Sequence, residues 1–172
     1  MVAGWAIALL GLVLVVIEGS LAHVLGLDTA SLQWSLVVTA YVGLRRDLNS
    51  SMLLLLLWIF PMDWFSGGPA GLHAFGLTAM FWSLRVVATR FERQWNLAKV
   101  LLAGLGAGVY HLATAMVFIV TAPDSPILDA ILFTMPGAIL VTGIWSIPLG
   151  WLLGRVEQVL HKRHQNDGLL WS

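Results

Sequence analysis

Few residues of this chain can do chemistry, and they are scattered through a sequence that is mostly apolar. Glu18 and His23 stand five residues apart near the end of the first apolar run. Such a pair either forms a buried polar contact or proton site, or lies hydrated at a membrane surface that Asp28 marks a few residues on. Tyr110 and His111 fall near the middle of the fifth apolar run. An interhelical hydrogen bond is the expected use of His111, because a metal site needs further ligands close by and no His-rich spacing supplies them. Arg85, followed by Arg90 and Arg93, suits lipid head groups or an acidic segment of a partner, or simply snorkels from the end of a span. Ser66 beside Gly67 has the look of an intramembrane serine nucleophile, but it belongs to a loop and no companion His sits on a span at matching depth.

No catalytic constellation links these residues. The chain has no G-x-S-x-G elbow, no H-E-x-x-H and no Gly-Lys phosphate loop. It also has no cysteine, which removes disulfides, thiolate metal sites and thiol nucleophiles. The expectation is a protein without catalytic residues, metal or cofactor. Nine Lys and Arg balance nine Asp and Glu, so no net basic field argues for nucleic acid.

The elements that must position these residues follow from composition. Of 172 residues, 59% are apolar and 10% are charged, with a mean hydropathy of +0.86. A soluble domain carries about 25% charged residues to cover its surface. This composition predicts an all-α, polytopic bundle of six transmembrane helices over roughly 3–24, 30–45, 49–66, 70–89, 97–121 and 127–154. A membrane domain over 1–156 then precedes a polar cytoplasmic tail over 157–172, which extends the sixth helix briefly. The second span is short; it either crosses with help from snorkelling by Arg45 and Arg46 or is re-entrant. The first run lacks a basic leader and reads as a retained span.

Orientation follows from charge. Every Lys and Arg falls at the second loop, the fourth loop or the C-terminal tail, whereas the opposite side offers Asp28, Asp63, Asp124 and Asp129. The positive-inside rule puts both termini in the cytoplasm. Ser125-Pro126 reads as the N-cap and first position of the last span, where Asp129 meets the positive end of the dipole. Gly104 and Gly108, and again Gly150 and Gly154, repeat G-x-x-x-G spacing and offer small faces for packing, by default inside the bundle. Pro136 and Pro148 should bend the sixth span.

The most specific stretch runs from Pro61 to Ala74. Asp63 ends one apolar span, Ser66-Gly67-Gly68-Pro69 breaks the chain, and Gly71 lies in the first turn of the next. An acid at a helix C-terminus opposes the dipole, so Asp63 needs a donor: the exposed amides that start the fourth span, or His73. Found there, the donor locks the hairpin; otherwise Asp63 is a solvated loop residue.

This stretch resembles the hallmark of the MreD family of rod-shape-determining membrane proteins, with Asp63, Ser66, Gly67 and Gly71 in matching places and Ala70 where the family often carries a larger apolar residue. The resemblance extends to length, six spans, cytoplasmic termini and the Arg45-Arg46 turn. It implies a non-enzymatic scaffold or adaptor of the cell-elongation and peptidoglycan-synthesis machinery. Its implied partner is the bitopic MreC and, through it, MreB, RodA and a transpeptidase. It also implies a fold like the substrate-binding subunits of energy-coupling-factor vitamin transporters. A vitamin-binding transporter subunit is therefore the rival function, and a small intramembrane enzyme a more distant one. Few polar groups are available to line a central pocket, which favours the scaffold.

Overall fold

Among the described residues, apolar runs separated by charged or glycine-proline punctuation fold, in a computed structural model, into six α-helices: α1 (Val2–Leu25), α2 (Trp34–Gly43), α3 (Leu48–Phe65), α4 (Leu72–Ala88), α5 (Asn96–Thr121) and α6 (Pro126–Leu169). The structure describes residues 2–25, 33–44, 48–65, 69–88, 96–122 and 125–169, and contains no strand among them. Arg45, Arg46, Ser66, Gly67, Arg90 and Arg93, and the side chain of His23, lie outside the described residues.

The core is organised by α2. Its sequence, WSLVVTAYVG, has no polar stripe to turn toward solvent, and a helix that is apolar all round is driven to the interior. Eight of its ten residues are buried, and it touches each of the other five helices. It is shorter than the 30–45 span expected from sequence. Ten residues rise only about 15 Å, half the thickness of a bilayer core. Around it pack Ile7 and Leu14 of α1, Leu54 and Trp58 of α3, Leu77, Met80 and Phe81 of α4, and Leu149 and Leu153 of α6.

α5 and α6 form the most extensive pair, and small residues explain it. A Cβ on Gly104 would stand 3.0 Å from the Ile139 carbonyl oxygen, and one on Gly108 would stand 3.2 Å from Ile139 Cδ1. This G-x-x-x-G pair therefore forms a notch that receives Ile139 of α6. Gly150 and Gly154 do not behave the same way, contrary to the packing expected inside the bundle. A Cβ on either meets nothing within 4 Å among the described residues. The reason is geometric: Gly143 already faces Val100, one turn from the start of α5, and α6 runs on past that start.

α6 starts as its sequence predicts, with Ser125 Oγ accepting the Ile127 N–H at 3.3 Å. It then continues through Pro136 and Pro148 as one 44-residue helix, well into the segment assigned to the tail. Among the described residues, two helices are long and apolar enough to cross a membrane, Ala98–Thr121 and Pro126–Val159. The outward faces are apolar, including Val13 and Val16 of α1, Leu53 and Phe60 of α3, Leu101 and Leu105 of α5, and Phe133 and Leu140 of α6.

Candidate functional site: a polar layer joining all six helices

Each helix contributes one or more polar groups to two hydrogen-bonded networks that meet on α5. The first is built around the N-terminus of α2. A helix start leaves backbone N–H groups without intrahelical partners, and a buried start must find them elsewhere. Here Glu18 of α1 supplies both acceptors. Its Oε1 accepts the Trp34 N–H at 3.1 Å and its Oε2 accepts the Ser35 N–H at 3.1 Å. The negative carboxylate also faces the positive end of the α2 dipole.

Gln33, the residue before α2, sits in the left-handed region at φ 47, a conformation uncommon for a residue with a Cβ. Strain of this kind persists where surrounding contacts hold it, and Gln33 is held from two sides. Its side-chain amide N–H donates to His111 Nε2 of α5 at 3.3 Å, so that imidazole nitrogen presents its lone pair. Its Oε1 accepts the Thr142 hydroxyl of α6 at 2.8 Å. Glu18, Gln33, His111 and Thr142 are 7%, 5%, 9% and 0% exposed, so four helices are tied at a point closed to solvent.

The second network closes the α3–α4 hairpin. Asp63 Oδ2 accepts the Gly71 N–H at 3.0 Å, and its Oδ1 accepts the N–H groups of His73 at 2.9 Å and Ala74 at 3.3 Å. The donors Asp63 requires are thus the open amides at the start of α4, with His73 contributing its backbone. Gly71 adopts φ 88, a conformation that favours glycine, and this turns the chain so that its N–H points back to α3. Pro69 is exposed and its carbonyl accepts the Leu72 N–H at 3.1 Å.

The His73 ring then reaches α5: its Nδ1 and the Tyr110 hydroxyl share a 2.5 Å hydrogen bond, with the rings stacked at 18°. Tyr110 stands edge-on to His111, centroids 5.2 Å apart, which brings the two networks into contact. At the opposite end of α2, the Tyr41 hydroxyl donates to Glu157 Oε2 of α6 at 2.6 Å.

Of the residues singled out in the sequence, Asp63, Gly71, His73, His111 and Glu18 come together in this layer. Glu18 is buried against α2. Arg85 lies apart, half-buried in the last turn of α4. Gln33, Thr142, Tyr41 and Glu157 were missed, and Tyr110 was noted only as a neighbour of His111. The available signal was a single one: Gln33 is a polar residue directly before a uniformly apolar run. No group of three or more His, Asp or Glu able to hold a metal occurs among the described residues. The cavity lined by Ile7, Thr39, Leu54 and Trp58 has a volume of about 10 Å³, room for roughly one water.

No family model, curated protein or solved structure matches this chain.

Proposed function

We propose that this chain is a non-enzymatic, multi-span protein of a bacterial inner membrane that scaffolds the cell-elongation machinery by binding a single-span, MreC-like partner, as the MreD proteins it resembles do. In this reading all six helices belong to the membrane domain and both termini are cytoplasmic. The apolar outward faces and the gathering of every Lys and Arg at one side support that topology.

The observation that carries the proposal is the work done by Asp63. In the stretch that resembles the family hallmark, its carboxylate is committed to three backbone amides of α4. It serves as a clasp on a surface hairpin, which suits a docking element and leaves it no oxygen dedicated to acid–base chemistry. The interior agrees with this. The polar groups of the layer bond one another, and the cavity lined by Ile7, Thr39, Leu54 and Trp58 has room for roughly one water.

The test is co-purification of the intact chain from native membranes of a rod-shaped bacterium. Recovery of an MreC-like bitopic protein is expected. A bound vitamin, or a transporter-module ATPase in place of that partner, would overturn the proposal. The topology has its own check: a membrane-impermeant maleimide should label Pro69→Cys in intact cells, and a cysteine placed after Glu157 only after lysis.

A further inference from the structure

α3 turns Ser51, Leu54, Leu55 and Trp58 inward, and all four are buried. Ser51 and Trp58 carry the polar side-chain atoms of this face, and neither atom meets a hydrogen-bond partner among the described residues. The consequence is sharper for Trp58, which is 5% exposed. An indole N–H only donates, its direction is fixed by the ring, and a buried donor without an acceptor is costly.

The ring is not free to swing toward an acceptor elsewhere. Its far edge is wedged against α1 where Gly11 lacks a side chain: an ideal Cβ at position 11 would stand 2.7 Å from Trp58 Cζ3 and 2.9 Å from Cη2. The same point lies 3.2 Å from Val38 Cγ1 of α2. Trp58 is therefore held where α1, α2 and α3 meet.

That junction contains the cavity of about 10 Å³, bordered by Trp58 and Leu54 of α3, Thr39 of α2 and Ile7 of α1. A wholly apolar cavity of this size would stay dry. This one has two polar residues in its wall, and their needs are complementary. Thr39 donates its hydroxyl proton to the Ser35 carbonyl oxygen at 2.9 Å, which leaves Oγ1 as an acceptor. Trp58 offers a donor. A water accepts from one and donates to the other at little entropic cost. Thr39 is 1% exposed, so bulk solvent does not serve it instead.

We propose that this cavity is the site of one structural water, which accepts the Trp58 indole N–H, donates to Thr39 Oγ1 and so joins α3 to α2. The bridge supplies a tie that neither polar network provides. Asp63, five positions further along α3, binds that helix to α4. The water binds the same helix to α2 about 7 Å away along its axis. The hairpin clasp is thereby set against the core at two levels, whether or not a partner docks on it. Ser51 does not line the cavity and takes no part in the bridge.

The test reads water contact at the indole proton. The full chain, isotope-labelled in its tryptophan indoles, is placed in lipid nanodiscs, and magnetic cross-relaxation between water and each indole N–H is recorded. The Trp58 signal is the one of nine that Trp58→Phe removes. A water cross-peak with the sign of an immobilised molecule is expected there, together with slow exchange of the same N–H for deuterium. Thr39→Ser keeps the acceptor and should keep the cross-peak. Thr39→Val removes the acceptor while conserving shape and should abolish it. Should that variant not fold, Val42→Ile takes its place, since an added methyl group at the cavity wall displaces the water without touching either polar group. Ser51→Ala should leave the cross-peak unchanged. Absence of the cross-peak in the native chain, or its survival in Thr39→Val, would overturn the proposal. So would its loss in Ser51→Ala, which would tie the signal to α3 packing, or rapid deuterium exchange, which would show bulk water in place of a held molecule.

Discussion

The Tyr110 ring occupies the space that a side chain on Gly76 would need: an ideal Cβ at position 76 would stand 2.7 Å from Tyr110 Cδ2 and 3.0 Å from Thr114 Cγ2. Gly76 lies one turn after His73, so the missing Cβ is what lets the phenol approach α4 closely enough to reach the imidazole. Gly76→Ala should therefore push α4 and α5 apart and break the His73–Tyr110 bond. Overpacking of this kind costs about 1–3 kcal/mol. A lower Tm in detergent is expected, together with a smaller additional effect of Tyr110→Phe in the Gly76→Ala background than in the native chain. Full additivity of the two would show that the glycine does not act through Tyr110.

Asp63→Ala strips three amides of their acceptor and should destabilise the α3–α4 hairpin by about 1–2 kcal/mol, the usual cost of losing a helix N-cap. Asp63→Asn keeps one acceptor oxygen and should cost less while still weakening partner assembly; insertion into the membrane should be intact in both. Thermal unfolding and partner recovery measured side by side provide the check. If Asp63→Asn leaves both unchanged, Asp63 drops out of the argument.

Glu18→Ala should be the most damaging single change in the polar layer. It leaves the Trp34 and Ser35 N–H groups buried without an acceptor, and an unsatisfied buried group costs about 1–3 kcal/mol. Glu18→Gln retains one acceptor and should fall between Glu18→Ala and the native chain. Hydrogen exchange at the start of α2 reports the effect locally: faster exchange at residues 34 and 35 is expected in the order native, Gln, Ala. Unchanged protection would mean that another group caps α2.

Tyr41 and Glu157 should show pairwise coupling. Tyr41→Phe, Glu157→Gln and the double variant form a cycle whose interaction energy is expected to be about 1 kcal/mol, that of one half-buried hydrogen bond. A value indistinguishable from zero would leave the C-terminal end of α2 without this tie to α6.

Helix positions were legible in the sequence because they depend on local signals. Ser125 and Pro126 open α6 where capping chemistry demands, and the bounds of α1, α3 and α5 fall within a residue or two of the apolar runs. The length of α2 was not legible. Its start is set by a carboxylate sixteen and seventeen residues earlier in the chain, a contact without a periodic signature. The same holds for the polar layer. Glu18, His111 and Asp63 were visible as isolated costly residues, whereas Gln33 and Thr142 are ordinary polar residues until the fold brings them within 2.8 Å across 109 positions. Glycine spacing was an equally partial guide. Gly104 and Gly108 form the notch for Ile139, while a Cβ on Gly150 or Gly154, with identical spacing, would meet nothing within 4 Å among the described residues.

The Gln33 contacts impose an order on biogenesis. Its partners His111 and Thr142 are synthesised 78 and 109 residues later, which at about 5–20 residues per second is a delay of roughly 4 to 20 s. Glu18, which accepts the neighbouring Trp34 and Ser35 N–H groups, is already synthesised during that interval, on the helix made just before. The early carboxylate therefore acts as a placeholder on a nascent chain, holding α2 in register until the last two helices arrive to complete its surroundings.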